Sequence, residues 1–280
     1  MTYSIVARDA ETGELGVAVQ SRAFSVGAVV PWAEPGVGAV ATQALGERSY
    51  GPLGLALLQA GKRPEQALAG LVAADDDSPV RQVAMISVDG TVAVHTGADC
   101  IPEAGHVAGD GFSAQANMCR AAVWEAMAET YTSAHAPLAD RLLAALDAAE
   151  AAGGDFRGRQ SAALIVCPAE GYRWDRVSDL RVEDHADPLA ELRRLLGMEQ
   201  AYRRINATEH DRARIAEEAG LPELDRTTAA LFDAASDGDL ERARSLLAPL
   251  IADEPRWAEV ARWAARRGLA PDPERLLDNG

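Results

Sequence analysis

The chain has 280 residues, 48% of them hydrophobic, which suits one large or two modest folded domains and excludes a mainly disordered polymer. With 43 acidic against 27 basic residues, its formal net charge is -16, so neither a nucleic acid nor an anionic membrane surface is an expected partner. Cys100, Cys119 and Cys167 are widely spaced, no CxxC occurs and no apolar run reaches spanning length, which points to a reducing, cytoplasmic setting.

The opening reads as a β-hairpin: Thr2 to Arg8 is β-prone, Asp9 to Glu14 holds a turn with Gly13, and Leu15 to Gln20 is apolar again. From Val26 to Gln43 small residues suggest closely packed strands, bent around Pro31 and Pro35. Helical spacing runs from Gly51 to Ala74 and breaks at Asp75 to Asp77, read as a solvated helix end. Gln82 to Val88 and Thr91 to His95 flank Asp89-Gly90, a hairpin turn signal. Two helices are expected next, about Ala116 to Thr132 and Leu138 to Ala152, the second closed by Gly153-Gly154. Ser161 to Cys167 reads as a buried strand and Val177 to Val182 as another.

Hairpins separated by helix pairs place the first part of the chain in the α+β class, with two sheets packed together and helices outside. Beyond Asp187-Pro188 the signals are helical only: Ala190 to Arg204, His210 to Gly220, Thr227 to Leu247 and Trp257 to Arg267. The expected domains are residues 1–205 and a helical module, 206–280. Leu246, Leu247, Leu250, Trp257, Val260 and Trp263 read as the module's small core.

Thr2 directly follows Met1, and a second residue this small lets methionine aminopeptidase expose it. A terminal Thr carries both a hydroxyl nucleophile and an α-amine able to take its proton. That amine titrates near about 7.7–8.0, so about a quarter of it is neutral at pH 7.4. Because Thr2 opens a strand at once, the terminus is held in a sheet rather than frayed.

Thr2-Tyr3-Ser4-Ile5-Val6-Ala7, followed after the turn by Gly16-Val17-Ala18-Val19-Gln20-Ser21-Arg22-Ala23, resembles the opening hairpin of proteasome-type N-terminal-nucleophile (Ntn) hydrolases. Gln20 stands where those proteins often have Asp, and no Lys lies near the third strand, so the amine must be tuned by other groups. A fuller resemblance is to the domain of unknown function 1028 family, over about residues 2–197. It rests on Tyr3-Ser4-Ile5-Val6-Ala7-Arg8-Asp9, Val26-Gly27-Ala28-Val29-Val30-Pro31-Trp32-Ala33, Gly38-Ala39-Val40-Ala41-Thr42-Gln43, Ser49-Tyr50-Gly51-Pro52, Gly111-Phe112-Ser113-Ala114-Gln115-Ala116-Asn117-Met118 and Gly158-Arg159-Gln160-Ser161-Ala162-Ala163-Leu164. The resemblance implies a four-layer αββα Ntn-hydrolase-like sandwich and hydrolysis of an amide, lactam or peptide-like small molecule by Thr2. The segment around Trp257 and Trp263 resembles the peptidoglycan-binding-like module attached to some members.

An amide hydrolase needs donors aimed at the developing oxyanion. Gln115 and Asn117, two apart in a presumed Gly-rich turn before a helix, fit that role, or else Asn117 or Ser113 caps the helix. Gln160 and Ser161 either line the site or satisfy a strand end. His95 is a candidate site acid or a structural strand-end residue. Arg22 and Arg157 either clamp a substrate carboxylate or form ion pairs. HxxxH and HExxH spacings are absent, and no metal or cofactor is expected. The expected partner is a small-molecule amide, and the expected state a homo-oligomer. The rival readings are a non-catalytic binding or assembly protein on the same scaffold, and a hydrolase that uses an internal Ser or Cys.

Overall fold

The computed structural model describes residues 2–267 apart from 121 and 209, together with residue 277. Its chain contacts divide into two compact units, 1–195 and 196–280. Among the described residues no helix is long and apolar enough to cross a membrane.

Unit one begins with β1 (Thr2–Arg8), β2 (Leu15–Ser21), β3 (Pro31–Glu34) and β4 (Gly38–Ala44). Helices α1 (Tyr50–Gln59) and α2 (Pro64–Ala73) precede β5 (Arg81–Ser87), β6 (Val92–Thr96), β7 (Gly105–Gly109) and β8 (Phe112–Asn117). Then come α3 (Val123–Ser133), α4 (Leu138–Ala151), β9 (Ser161–Cys167), β10 (Ser178–Val182) and α5 (Pro188–Ala207). Six strands form one antiparallel sheet in the order β10-β9-β2-β1-β8-β7, and four form the other, β3-β4-β5-β6.

Side chains alternate across each strand, so each sheet has an inner and an outer face. Val6, Val17, Val19, Ala163 and Ile165 from the first sheet meet Ala39, Ala41, Ala84 and Ile86 from the second in a buried core. Val40, Val83 and Met85, on the opposite face of the second sheet, pack with Tyr50, Leu55, Leu58, Ala67 and Leu68 of α1 and α2. Helices α3 and α4 cover the outer face of the first sheet, with Leu142 and Leu146 fully buried. The layers therefore run helix, sheet, sheet, helix, an α+β arrangement of two antiparallel sheets.

In this unit three sequence expectations need correction. The single helix expected over 51–74 is two, because Gly61 takes φ 80° and Pro64 starts a fresh helix at its first turn. The helix expected from Ala116 starts only at Val123, and Ala122 precedes it, so neither Ser113 nor Asn117 caps it. The presumed turn around Gln115 is instead strand β8, turned back on β7 at Gly111. Every residue of β8 is buried, so it lacks the alternation that marks a strand with one wet face.

Unit two holds the rest of α5, α6 (Arg212–Glu218), α7 (Glu223–Ser236), α8 (Leu240–Asp253) and α9 (Trp257–Arg266). Ala201, Ile215, Ala216, Leu221 and Ala229 form one small core. The helix expected over 227–247 breaks at Gly238, which takes φ 74°. Of the core residues anticipated there, Leu247 is buried, whereas Val260 and Trp263 are about half exposed.

Candidate active site

Strand β1 lies in the interior of the first sheet, between β2 and β8, with Thr2 opposite Ser21 on one side and Asn117 on the other. Thr2 is buried, and its Oγ1 lies 3.0 Å from the Ser21 Oγ. Thr2, Ser4, Gln115 and Asn117 all face the gap between the sheets, where the apolar core gives way to amides and hydroxyls.

These groups satisfy one another. Ser113 Oγ donates to Gln115 Oε1 at 2.8 Å, and Gln115 Nε2 donates to Ser4 Oγ at 2.7 Å. Ser4 Oγ donates across the sheets to Gln43 Oε1 at 2.7 Å. Gln43 Nε2 donates to Gln82 Oε1 at 2.8 Å and reaches the Thr2 carbonyl at 3.3 Å. Asn117 Nδ2 also donates to Gln82 Oε1, at 3.1 Å. Gln82 Nε2 then faces Thr96 Oγ1, the Gly105 carbonyl and the Ala116 carbonyl. Ser4, Gln43, Gln82, Ser113, Gln115 and Asn117 are all essentially inaccessible to solvent. Buried amides left unpaired are costly, so this closed network fixes the register of β1 against both sheets.

At the end of the network lies a cavity of about 290 Å³ lined by Ala44, Leu45, Val80, Asp99, Ile101, Asn117, Met118 and Arg157. Ala44 and Met118, one residue beyond Gln43 and Asn117, have left-handed backbones, φ 70° and 53°. Such conformations are uncommon outside glycine, and they bend both chains at this end of the strands. A larger cavity of about 530 Å³, lined by Trp32, Glu34, Arg173, Arg176 and Arg181 among others, contains none of the network residues.

The family of unknown function DUF1028 matches residues 2–192. This chain belongs to that family. The crystal structure of a DUF1028 protein from Silicibacter pomeroyi is similar at 32% identity and a TM-score of 0.64, covering 70% of this chain and 87% of that one. Anbu, an ancestral beta-subunit from Yersinia bercovieri, matches at 12% identity and a TM-score of 0.33, covering 71% of this chain and 95% of that one, too weakly to define a shared fold. No curated protein matches.

Within this DUF1028 chain the residues singled out from sequence separate into groups. Thr2, Gln115 and Asn117 share the inter-sheet face, and Asn117 also reaches the cavity. Arg157 lines the cavity but is paired with buried Asp155 at 3.2 Å. Arg22 is exposed; its backbone N–H donates to Asp155 at 3.0 Å and its guanidinium faces the Arg159 carbonyl at 3.4 Å. Ser161 accepts from the Val26 N–H at 3.0 Å and donates to the Ala23 carbonyl, pinning the segment after β2. Gln160 donates to Asp184 at 3.0 Å. His95 shares the outer face of β6 with Ala93, and its Nε2 lies 2.8 Å from the Ser78 carbonyl, away from Thr2. Gln20 pairs with Tyr3 on the helix-covered face, fully buried, its side-chain amide meeting no hydrogen-bond partner among the described residues, so Ser21 and not Gln20 adjoins Thr2.

Sequence reasoning missed Ser21, Ser4, Gln43 and Gln82. The signal was available for two of them: Gln43 and Gln82 are lone amides continuing the inward rows Ala39-Ala41 and Ala84-Ile86. Burial works against the thiolate form at all three cysteines. Burial pushes Cys119 up to about 12 and Cys167 up to about 11, and it raises Cys100 as well. An internal cysteine nucleophile is disfavoured accordingly.

Proposed function

We propose that this chain is an Ntn-type hydrolase that cleaves an amide, lactam or peptide-like bond in a small molecule, with Thr2 as nucleophile once its nitrogen is freed. The observation that carries this reading is the Thr2 hydroxyl, buried at the strand end and 3.0 Å from Ser21, flanked by Asn117, which opens onto the cavity. The helix-sheet-sheet-helix layering with β1 inside a sheet supports it.

The hydroxyl proton passes to the α-amine, directly or through Ser21, as Oγ1 bonds to the carbonyl carbon. Asn117 has a second N–H beyond the one given to Gln82, and from the cavity wall it donates to the oxyanion. The C–N bond breaks and the departing nitrogen takes the proton. Water then cleaves the ester, releasing the acid and restoring Thr2. Gln115, bonded through its oxygen to Ser113 and through its nitrogen to Ser4, serves as a positioning residue.

The second reading, a non-catalytic binding or assembly protein, draws on one feature: among the described residues, the side chains bonded in the network of Ser4, Gln43, Gln82, Ser113, Gln115 and Asn117 are amides and hydroxyls. The test starts from protein whose intact mass shows Thr2 as first residue, screened against chromogenic amides. Thr2→Ala, folded by circular dichroism, is expected to lose turnover completely. Undiminished turnover in that variant would end the hydrolase proposal. Turnover of the parent is expected to rise with pH through about 8, because the neutral amine is the base and its population grows above its pKa.

A further inference from the structure

The cavity lined by Asn117, the strand partner of Thr2, has a chemical character of its own. Ala44, Leu45, Val80, Ile101 and Met118 give it walls that are mainly hydrocarbon. Leu45 and Ile101 are 58% and 47% exposed, although large apolar side chains normally retreat from water. Both stand on the same cavity, so one occupant would cover both. The charges there do not favour an ion: Arg157 is already neutralised by Asp155, and Asp99 adds a carboxylate. The left-handed turns at Ala44 and Met118 end β4 and β8 at the Thr2 end, bringing this apolar wall within one residue of Gln43 and Asn117, which hold Thr2.

Resting on the hydrolase reading, we infer that the cavity receives an uncharged apolar side chain, of leucine to phenylalanine size, carried on the acyl part of the substrate. The acyl group is the part that stays bonded to Thr2 between the two steps. A walled pocket beside the nucleophile holds it while water replaces the leaving amine, which needs an open path out. A volume of about 290 Å³ accommodates such a side chain with room for the adjoining amide.

β-Lactones test this directly. Thr2 Oγ1 attacks the ring carbonyl, the ring C–O bond breaks, the hydroxyl proton ends on the released oxygen, and the protein gains the whole mass of the lactone. Protein with Thr2 at its terminus is treated with lactones bearing hydrogen, isobutyl, benzyl or carboxyethyl on the ring, and labelling is followed by intact mass, with Thr2→Ala as control. The isobutyl and benzyl lactones are expected to label at least about tenfold faster than the other two. Leu45→Asp and Ile101→Asp, at exposed positions, should each erase that preference, whereas Leu53→Asp, exposed on α1, should keep it. No labelling by any lactone would overturn the hydrolase reading itself. Labelling at Thr2 with no dependence on the side chain, or a preference unchanged in both Asp variants, would overturn the apolar subsite and leave the hydrolase standing.

Discussion

The Gln82 side chain carries more of the site than its place in an apolar strand suggests. Its oxygen accepts from both Gln43 and Asn117, and its nitrogen faces two carbonyls and a hydroxyl. Gln82→Leu would keep the volume and strand several buried donors and acceptors at once. A loss of about 2 kcal/mol or more is expected, read as a lower urea midpoint. Because β8 would lose the bonds that Asn117 and Ala116 make with Gln82, and Gln43 its acceptor there, acylation of Thr2 should slow along with it. A variant as stable as the parent would show that the network is slack. The place of Thr2 at the head of a strand was legible from the sequence. Ser21 was not, because only antiparallel pairing in the observed register brings a residue nineteen positions away to 3.0 Å.

At the scale of elements, glycines distinguish packing from propensity. A Cβ on Gly51 in α1 would meet the Trp32 ring at 2.4 Å, since this helix lies directly on β3. Gly51→Ala is expected to cost about 1–3 kcal/mol through overpacking. Gly70, in α2, has nothing within 4 Å of where its Cβ would stand. Gly70→Ala should instead stabilise by about 0.5–1 kcal/mol, because glycine is the poorer helix former. Thermal unfolding of the two variants should therefore shift in opposite directions. The β1–β2 and β5–β6 hairpins were readable from turn signals and β-prone or apolar runs, and β9 from its apolar run. The β7–β8 hairpin was not: Phe112–Asn117 is buried on both faces, and its polar residues face an interior that local sequence does not reveal.

For the whole molecule, the contacts divide at Leu195 and Leu196, within α5 and about ten residues before the composition-based boundary. Leu189 and Leu192 are buried in the first unit, and Ala201 belongs to a core of the second. A chain ending at Ala207 is expected to unfold cooperatively and to keep the Thr2 labelling rate of the full protein. A shortened chain that fails to fold would show that the helical unit is needed for the sandwich to hold.

Composition, the hairpin turns and the placement of a threonine at the head of the first strand come from the sequence alone, because residue propensity and turn chemistry are local. They set the α+β class, the order of most strands and the candidate threonine on which the hydrolase proposal rests. The amide network, the neutralised Arg157, the outward-facing His95 and the apolar cavity came only from the tertiary structure. Each depends on which strands become neighbours and in what register, and a one-residue slip would turn the network amides and His95 to the other face.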